Sequence, residues 1–201
     1  MNSDQVRVYN IKECISFKKT NEEFGGLSNM ASGFPLKINN IDIKTSEALY
    51  QSMRFPDYPD IQKEIIYQKS PMTAKMISKK YRKIYTREDW NKKRISIMRW
   101  CLQVKLVQNL DKFGLLLIET KDKNIVEISR KDDFWGTIQK EEFLIGVNAL
   151  GRLLMELREY HKNNIIEKVE PLNINNFRLF GEKITDVYKN KTDKIKTSLF
   201  E

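Results

Sequence analysis

The sequence lacks the short motifs that identify many enzyme classes. Its 201 residues contain no glycine-rich dinucleotide loop, no P-loop, no His-Glu-x-x-His helix and no serine-nucleophile elbow. Histidine occurs once, at His161, and neither a second histidine nor a cysteine pair accompanies it as a metal ligand. The sequence therefore predicts a functional site without a metal ion and without a bound cofactor.

Cysteines and long apolar runs are also scarce. Cys14 and Cys101 lie far apart in a lysine-rich chain, which argues against a disulfide framework and for a reducing compartment. No stretch approaches the roughly 18 apolar residues of a membrane span, and the N-terminus has no signal-peptide pattern. We expect a cytoplasmic protein with no membrane partner, built as one compact domain from 40% apolar residues.

Positive charge is in excess, and the excess is local. The net charge is +9, and residues 75–105 contain eleven basic and two acidic residues, a local balance that equals the whole net charge. The basic residues, called the basic patch below, are Lys75, Lys79, Lys80, Arg82, Lys83, Arg87, Lys92, Lys93, Arg94, Arg99 and Lys105. Such a patch predicts a phosphate-bearing partner, nucleic acid above all. A solvated lysine-rich surface explains the same composition equally well.

The apolar periodicity predicts a mixed α+β fold, mostly helical, with a small β-sheet or hairpin. Residues 35–44 alternate apolar and polar side chains around two asparagines, which tolerate the positive φ of a tight hairpin turn. Thr45 then offers an N-cap that places Glu47 in the first turn of a helix. Glu47 is either a surface acid that compensates the helix dipole, worth about 0.3–1 kcal/mol, or a carboxylate held at a fixed angle for function.

Further helices are predicted over residues 56–70, 71–85 and, after a capping box at 86–89, up to Asn109. Lys105 interrupts the apolar face of this last helix. Because burial of an unpaired lysine is costly, a carboxylate or phosphate partner is predicted for it. A lysine that extends to solvent from the edge of the stripe is the alternative.

Residues 124–158 combine several signals in one run. A short apolar strand ends at Glu127, an acidic aromatic turn follows, and an amphipathic helix begins after Gly146. Gly151 in that helix permits close approach of a ligand or of another backbone; packing between helices explains it as well. The preceding apolar run, residues 113–119, fits either a helix or a strand.

The chemistry available to the chain is carboxylates beside aromatic rings. The carboxylates are Glu47, Glu127, Asp132 and Asp133, and the rings are those of Tyr50, Trp90, Phe134 and Trp135. This pairing suits cleavage of a glycosidic bond, because an anion stabilises the oxocarbenium-like transition state while a second group moves the proton. The residues alone are compatible with that reaction and do not require it.

Several spaced motifs over residues 24–158 resemble those of the NADAR family, named for association with NAD and ADP-ribose. The motifs are Leu27-Ser28-Asn29-Met30, Ser46-Glu47 with Gln51, Asp89-Trp90, Met98 to Gln108, Leu117 with Thr120, Val126-Glu127, Asp132 with Trp135-Gly136, and the run from Gly146 to Arg158. Two positions depart from the family pattern: Ile138 replaces the second glycine of a Trp-Gly-x-Gly turn, and Tyr81-Arg82 replaces a Gly-Arg pair.

The resemblance implies that residues 1–160 form a NADAR domain, with residues 161–201 as a C-terminal extension. It also implies an N-glycosidase that cleaves the bond between ribose and a base or amine, acting on an ADP-ribose-containing or ribosyl phosphate substrate. We favour ADP-ribose attached to guanine in DNA or RNA, where the activity would reverse a toxin, because the basic patch suits a polyanion. The alternatives are a phosphorylated intermediate of riboflavin biosynthesis and a non-catalytic module that binds NAD or ADP-ribose.

The resemblance further implies the roles of individual residues. Glu47 and Asp132 are the implied catalytic acids. Trp90 and Trp135 are the implied stacking walls. Lys105 is implied as an anion contact, and a transient lysine adduct remains open beside a water mechanism. The other implied substrate-binding residues are Ser28, Asn29, Tyr50, Gly136, Gly146 and Asn148, the last two beside ribose or pyrophosphate as at many helix N-termini.

Overall fold

The structure, a computed structural model, describes residues 5–190 of the chain. The last part of the predicted extension, residues 191–201, lies outside the described residues. Within 5–190 the α-helices are α1 (Ser46–Ser52), α2 (Pro59–Ile66), α3 (Pro71–Tyr85), α4 (Trp90–Gln108), α5 (Leu115–Glu119) and α6 (Ala149–Asn163). None of these helices has the length and apolar character needed to cross a bilayer.

The strands are short and form several small sheets. They are β1 (Arg7–Asn10), β2 (Cys14–Phe17), β3 (Leu36–Ile38), β4 (Ile41–Ile43), β5 (Asn124–Glu127), β6 (Ile138–Lys140), β7 (Phe143–Gly146), β8 (Lys168–Val169), β9 (Arg178–Leu179), β10 (Glu182–Lys183) and β11 (Val187–Tyr188). An antiparallel sheet has the order β1-β7-β6, β2 pairs with β5 in parallel, and the others form antiparallel pairs. The predicted α+β class is confirmed.

The predicted hairpin and the helix after it are both present. Strands β3 and β4 pair in antiparallel register, and Asn39 and Asn40 between them have φ of 47° and 63°, as a primed turn requires. The Thr45 side chain accepts a hydrogen bond from the Ala48 amide at 3.3 Å and thereby caps α1. Glu47 accordingly lies in the first turn of α1, as predicted.

Helix α4 runs through the main core, and Cys101 is fully buried on it, as predicted. The capping box predicted at its start is wrong. The Asp89 side chain makes no cap bond; it accepts hydrogen bonds from the Arg87 guanidinium instead, because that charged donor competes with the helix amides. After α4 the chain makes a π-helical turn, Leu110–Gly114, and continues as α5, so residues 113–119 are helical.

Helix α6 packs directly on strand β5 through a glycine. A Cβ atom on Gly151 would lie 2.1 Å from the carbonyl oxygen of Ile125, so only glycine fits there. The Asn148 side chain joins the same elements: its amide donates to the Ile125 carbonyl at 2.8 Å, and its oxygen accepts from the Glu127 amide at 3.2 Å. The glycine therefore serves contact between a helix and a strand, rather than between two helices or with a ligand.

Residues of the predicted extension pack on the same core as the helices. The buried apolar side chains there are Ile166, Val169, Phe177, Leu179, Ile184 and Val187. The indole of Trp100 lies edge to face with Phe177 at 4.8 Å and donates to the Glu170 carbonyl at 3.0 Å. The division of the chain at residue 160 stays a prediction, and the described part of the extension contributes to the interior.

Candidate active site

A cavity of about 310 Å³ lies where α1, α3, the start of α4 and the segment after β5 meet. Its lining combines three chemical groups. The carboxylates are Glu47, Glu127 and Asp132; the aromatic rings are Tyr50, Trp90, Phe134 and Trp135; the basic side chains are Arg54, Lys75, Arg82 and Arg94. The volume is at the lower end of the range for small-molecule sites, and the lining is unusually charged for its size.

Glu47 is buried, and a chain of hydrogen bonds fixes its orientation. The Gln51 amide nitrogen donates to Glu47 Oε1 at 2.9 Å, one turn along α1. The Gln51 amide oxygen accepts from the Ser78 hydroxyl at 2.7 Å and from Arg82 Nη2 at 2.9 Å. Because those two donors occupy the amide oxygen, Gln51 must present its N–H to Glu47. The carboxylate is therefore held by a side chain that is itself held from α3.

Glu127 ends strand β5 inside the same cavity. Burial raises its pKa to about 7, and the negative charges of Glu47 and Asp132 act in the same direction, while Lys75 lowers the pKa. Near neutral pH this carboxyl group is thus present in both protonation states. A group of that kind is suited to give and take a proton.

Asp132 organises the acidic aromatic turn. Its Oδ1 accepts from the amides of Phe134 at 3.1 Å and Trp135 at 2.9 Å, and its own amide donates to Ser129 Oγ at 3.1 Å. The carboxylate is in this way oriented by the turn that it stabilises. Within residues 5–190, no group of three or more His, Cys, Asp or Glu side chains has the arrangement to hold a metal ion.

The aromatic rings form two walls that meet at Tyr50. The Tyr50 ring lies 5.1 Å from Trp90 and 5.6 Å from Trp135 between centroids, and Trp135 lies 5.2 Å from Phe134. Burial raises the pKa of Tyr50 well above its usual range, so the phenol stays neutral. These flat, rigid surfaces are suited to hold a planar base or a sugar ring.

The comparisons with known proteins decide the family. A family model described as the NADAR domain matches residues 16–160. The chain belongs to the NADAR family. The N-glycosidase YbiA of Escherichia coli (strain K12) is 34% identical over 145 residues, which cover 72% of this chain and 86% of that protein. An NMR structure of E. coli YbiA has a TM-score of 0.63 at 32% identity, covering 74% of this chain and 84% of that chain.

The relatives include both a protein named for riboflavin biosynthesis and a further N-glycosidase. A riboflavin biosynthesis protein of Vibrio vulnificus is 29% identical over 192 residues, and this chain spans 50% of its length. An N-glycosidase of Nostoc punctiforme is 30% identical over 151 residues, covering 74% of this chain and 93% of that protein. Together the names of these relatives support an N-glycosidase activity in this NADAR chain.

The structure brings together about half of the site residues that the NADAR motifs imply. Those in the cavity are Asn29, Glu47, Tyr50, Trp90, Asp132 and Trp135. Asn29 also connects the site to α1, because its side-chain oxygen accepts from the Ser46 hydroxyl at 3.0 Å and its carbonyl accepts from the Glu47 amide at 3.1 Å. The placement of these six residues fits the predicted site, and their individual roles stay predictions.

Lys105 does not line the cavity, and among the described residues no carboxylate lies at ion-pair distance from it. The side chain is fully buried, and its Nζ donates to the carbonyl oxygens of Gly26 at 2.6 Å and Ser28 at 3.1 Å. The rings of Phe34 and Phe113 lie 4.4 Å and 4.2 Å from Nζ. Carbonyl dipoles and ring faces thus replace the expected carboxylate or phosphate. Lys105 holds the loop that carries Asn29.

The N-terminus of α6 is also occupied by the protein itself. Four successive amides, of residues 147–150, donate to the four carbonyls of residues 133–136 at 2.7–3.1 Å. No amide of this set is left for ribose or pyrophosphate, which explains why the ligand contacts predicted for Gly146 and Asn148 lie outside the cavity. The predicted substrate-binding residue Gly136 belongs to the turn that supplies these carbonyls and does not line the cavity. Ser28 also lies outside the cavity lining, and its hydroxyl accepts a hydrogen bond from the Met30 amide at 3.1 Å.

The residues that sequence reasoning missed are mainly the arginines of the cavity. Arg54 lies four residues after Tyr50, and Arg94 lies four residues after Trp90. Within α4 one helical turn separates Trp90 from Arg94, so the spacing could have indicated Arg94, whereas Arg54 lies beyond the end of α1, in the turn that follows it. The departure at Ile138 lies in β6, outside the cavity, whereas Arg82 of the Tyr81-Arg82 pair lines it.

The buried lysine makes stability depend on pH. Burial lowers the pKa of Lys105 from 10.5 to about 7. Between those values the unfolded chain binds a proton that the folded chain does not, so the free energy of unfolding should rise with pH by about 1.4 kcal/mol per unit. Urea unfolding from pH 7 to 10 would measure the rise. Lys105→Met should remove it, whereas Lys92→Met, an exposed lysine of α4, should keep it; equal slopes for both variants would contradict the prediction.

Proposed function

We propose that this NADAR protein is an N-glycosidase that removes ADP-ribose from guanine in DNA or RNA. The observation that carries the proposal is the meeting of Glu47, Glu127 and Asp132 with aromatic walls in one cavity. Breaking the bond between nitrogen and the anomeric carbon develops positive charge on the ribose ring. A cavity with several carboxylates stabilises that charge, and the aromatic rings on its walls orient the base and the sugar relative to the carboxylates.

Each of the three carboxyl groups has a different proposed role, which follows from its surroundings. In the proposed mechanism Glu127 donates its proton to the departing guanine nitrogen, because its pKa near 7 leaves it partly protonated at neutral pH. Glu47, oriented by Gln51, stabilises the ribosyl cation and takes a proton from the attacking water. The hydroxyl of that water bonds to the anomeric carbon, and the guanine leaves with the proton from Glu127. Asp132 holds the aromatic turn and adds negative charge.

The preference for a polynucleotide rests on where the basic patch lies. Lys79, Lys80 and Lys83 are exposed on α3, the helix whose Lys75 and Arg82 line the cavity. A strand bound along α3 would therefore place a modified base at the cavity mouth while its neighbouring phosphates contact the lysines. Three other members of the patch are unavailable, since Arg87 and Arg99 are paired with Asp89 and Glu156 and Lys105 is buried.

A small phosphorylated substrate is the second candidate. The Vibrio relative and a chloroplastic relative of Zea mays are both named riboflavin biosynthesis proteins, and this chain spans 50% and 24% of their lengths. The cavity of about 310 Å³ would suit a single ribosyl phosphate with its base. The chemistry of bond cleavage would be the same, and only the leaving group would differ.

Glu47→Gln tests whether the protein is an enzyme and whether Glu47 acts in it. The substitution keeps size and hydrogen bonding but removes the charge, so hydrolysis should fall at least about 100-fold while ligand binding is nearly unchanged. Product release and calorimetric binding would be measured on the same samples. Glu119→Gln, an exposed acid of α5, is the control. Full activity of Glu47→Gln would refute its role, and absence of turnover in the unmodified protein would favour a non-catalytic binding module.

The role of Glu127 predicts a pH profile. A proton donor whose pKa in the free protein is about 7 loses its proton as pH rises, so kcat/KM should fall about tenfold per pH unit above that value. Glu127→Gln should be slower at pH 6 and should lose this alkaline limb. Glu119→Gln should reproduce the unmodified profile. An alkaline limb that persists in Glu127→Gln would assign the proton donor to a different group.

The choice between the two substrates can be tested by measuring the cleavage of each one at two salt concentrations. The protein is incubated with a guanine-ADP-ribosylated oligonucleotide and with the aminopyrimidine ribosyl phosphate of riboflavin biosynthesis, each at 50 and 200 mM salt. Cleavage of the oligonucleotide that weakens at high salt is expected. Replacing Lys79, Lys80 and Lys83 together by Gln should reduce that cleavage and its salt dependence and leave hydrolysis of free small substrates unchanged. Cleavage of the ribosyl phosphate alone would refute the nucleic-acid proposal.

A further inference from the structure

We propose that Arg54 and Arg94 form a phosphate-binding subsite in the candidate active site, with Lys75 and Arg82 as its neighbouring cations. The subsite would bind a phosphate ester carried on the ribose of the substrate. The subsite depends on the proposed function in one respect: the phosphate is assigned to the substrate that the N-glycosidase cleaves. Neither the NADAR motifs nor the names of the relatives assign a role to these two arginines.

Each of the two arginines places its guanidinium carbon over an aromatic ring of the cavity. The guanidinium of Arg54 is 4.0 Å from the centroid of Trp90, and that of Arg94 is 3.8 Å from the centroid of Phe134. At these distances a cation–π contact with the ring restricts each guanidinium group, which leaves its N–H groups available to an acceptor other than the ring. Two planar donor groups are thus held in place at the lining of a single cavity.

These donors are not used by the protein. Nε of Arg54 and Nε of Arg94 are buried and have no hydrogen-bond partner within residues 5–190. A buried donor without a partner costs about 1–3 kcal/mol, so an interior that leaves two of them in one cavity calls for an acceptor from outside the chain. An anion with several oxygens supplies such acceptors.

Three other buried or half-buried arginines have a carboxylate partner. Arg87 is paired with Asp89, Arg99 with Glu156 and Arg158 with Glu159. Within the described residues no carboxylate lies at ion-pair distance from Arg54 or Arg94, although Glu47 is close enough to raise the pKa of Arg54. The carboxylates of the cavity are held elsewhere, Glu47 by Gln51 and Asp132 by its turn.

The cations are also close enough to repel one another. Burial, together with the positive charges of Arg82 and Arg94, lowers the pKa of Arg54 to about 10. At neutral pH all three guanidinium groups remain charged, and their repulsion is a cost of the unliganded state. A bound phosphate would relieve that cost. The relief of this repulsion adds to the hydrogen bonds between the arginines and the phosphate. Those hydrogen bonds are predicted from the positions of the donors alone.

Phosphate is the anion that best matches the donors. The edge of a guanidinium presents two parallel N–H groups that bind two oxygens of one phosphate, and two such edges suit a monophosphate or a diphosphate. Both candidate substrates carry phosphate on the ribose. The subsite also replaces the anion contacts first predicted at Lys105 and at the α6 N-terminus, which the protein uses for its own carbonyl groups.

Calorimetric titration with ADP-ribose, ribose 5-phosphate and unphosphorylated ribose tests the subsite. Arg54→Gln and Arg94→Gln should each weaken binding of ADP-ribose by roughly 10- to 100-fold and should not change the response to ribose. Arg99→Gln, an arginine of α4 outside the cavity, is the matched control. A loss for both phosphorylated ligands indicates that one phosphate suffices, whereas a loss confined to ADP-ribose indicates a diphosphate; both outcomes support the subsite.

Circular dichroism would confirm that the variants are folded. Should a glutamine variant not fold, Arg54→Lys and Arg94→Lys keep the charge but lose the planar edge, and a weaker affinity for ADP-ribose is expected again. Unchanged affinity in both folded variants, or no binding of either phosphorylated ligand to the unmodified protein, would overturn the subsite. If ADP-ribose binds through both arginines but no N-glycosidic substrate is cleaved, the subsite stands and the proposed function fails.

Discussion

The docking of the α6 N-terminus on residues 133–136 is the contact on which the rest of the site depends. A helix begins with amides that have no partner within the helix, and here the carbonyls of residues 134–136 accept hydrogen bonds from the amides of residues 148–150. The close approach of Gly151 to Ile125 and the two hydrogen bonds of the Asn148 side chain attach the same helix to β5. The end of β5 and the acidic aromatic turn are thereby held against one element, which brings Glu127 and Asp132 into the same cavity.

A second buried contact carries the other half of the site. The side-chain nitrogen of Lys105 donates to two carbonyls of the loop around residues 26–28, and the carbonyl of Asn29 accepts a hydrogen bond from the amide of Glu47. Lys105 thus acts on Glu47 through the backbone and at a distance from the cavity. Burial of a lysine is tolerated because carbonyl oxygens and aromatic faces surround it. Its position in the interior explains why a catalytic contact does not follow from its place in a family motif.

Sequence reasoning succeeded where a feature is local and depends on side chains. The hairpin at Asn39-Asn40, the cap by Thr45 and the position of Glu47 each follow from a few neighbouring residues. It failed for Lys105 and for the α6 N-terminus, where the partners are backbone carbonyls. Every residue has a carbonyl group, so no pattern of residue types indicates which one a distant lysine will meet; the partners of Lys105 are 77 and 79 positions away. The arginines were missed for another reason: charge was counted along the chain, although helical spacing already placed Arg94 one turn after Trp90. Arg54 lies beyond the end of α1, and only the folded structure brings it to the ring of Trp90.

The arrangement of charge in the cavity also connects binding to catalysis. Three carboxylates and four basic side chains share about 310 Å³, so a change in one charge alters the protonation of the others. Lys75 is the cation that lowers the pKa of Glu127, against burial and the charges of Glu47 and Asp132. A phosphate bound at Arg54 and Arg94 would offset the positive potential from these neighbouring cations and raise the pKa of Glu127 further. Binding of substrate would then favour the protonated acid, so a larger fraction of Glu127 carries its proton when there is a bond to cleave.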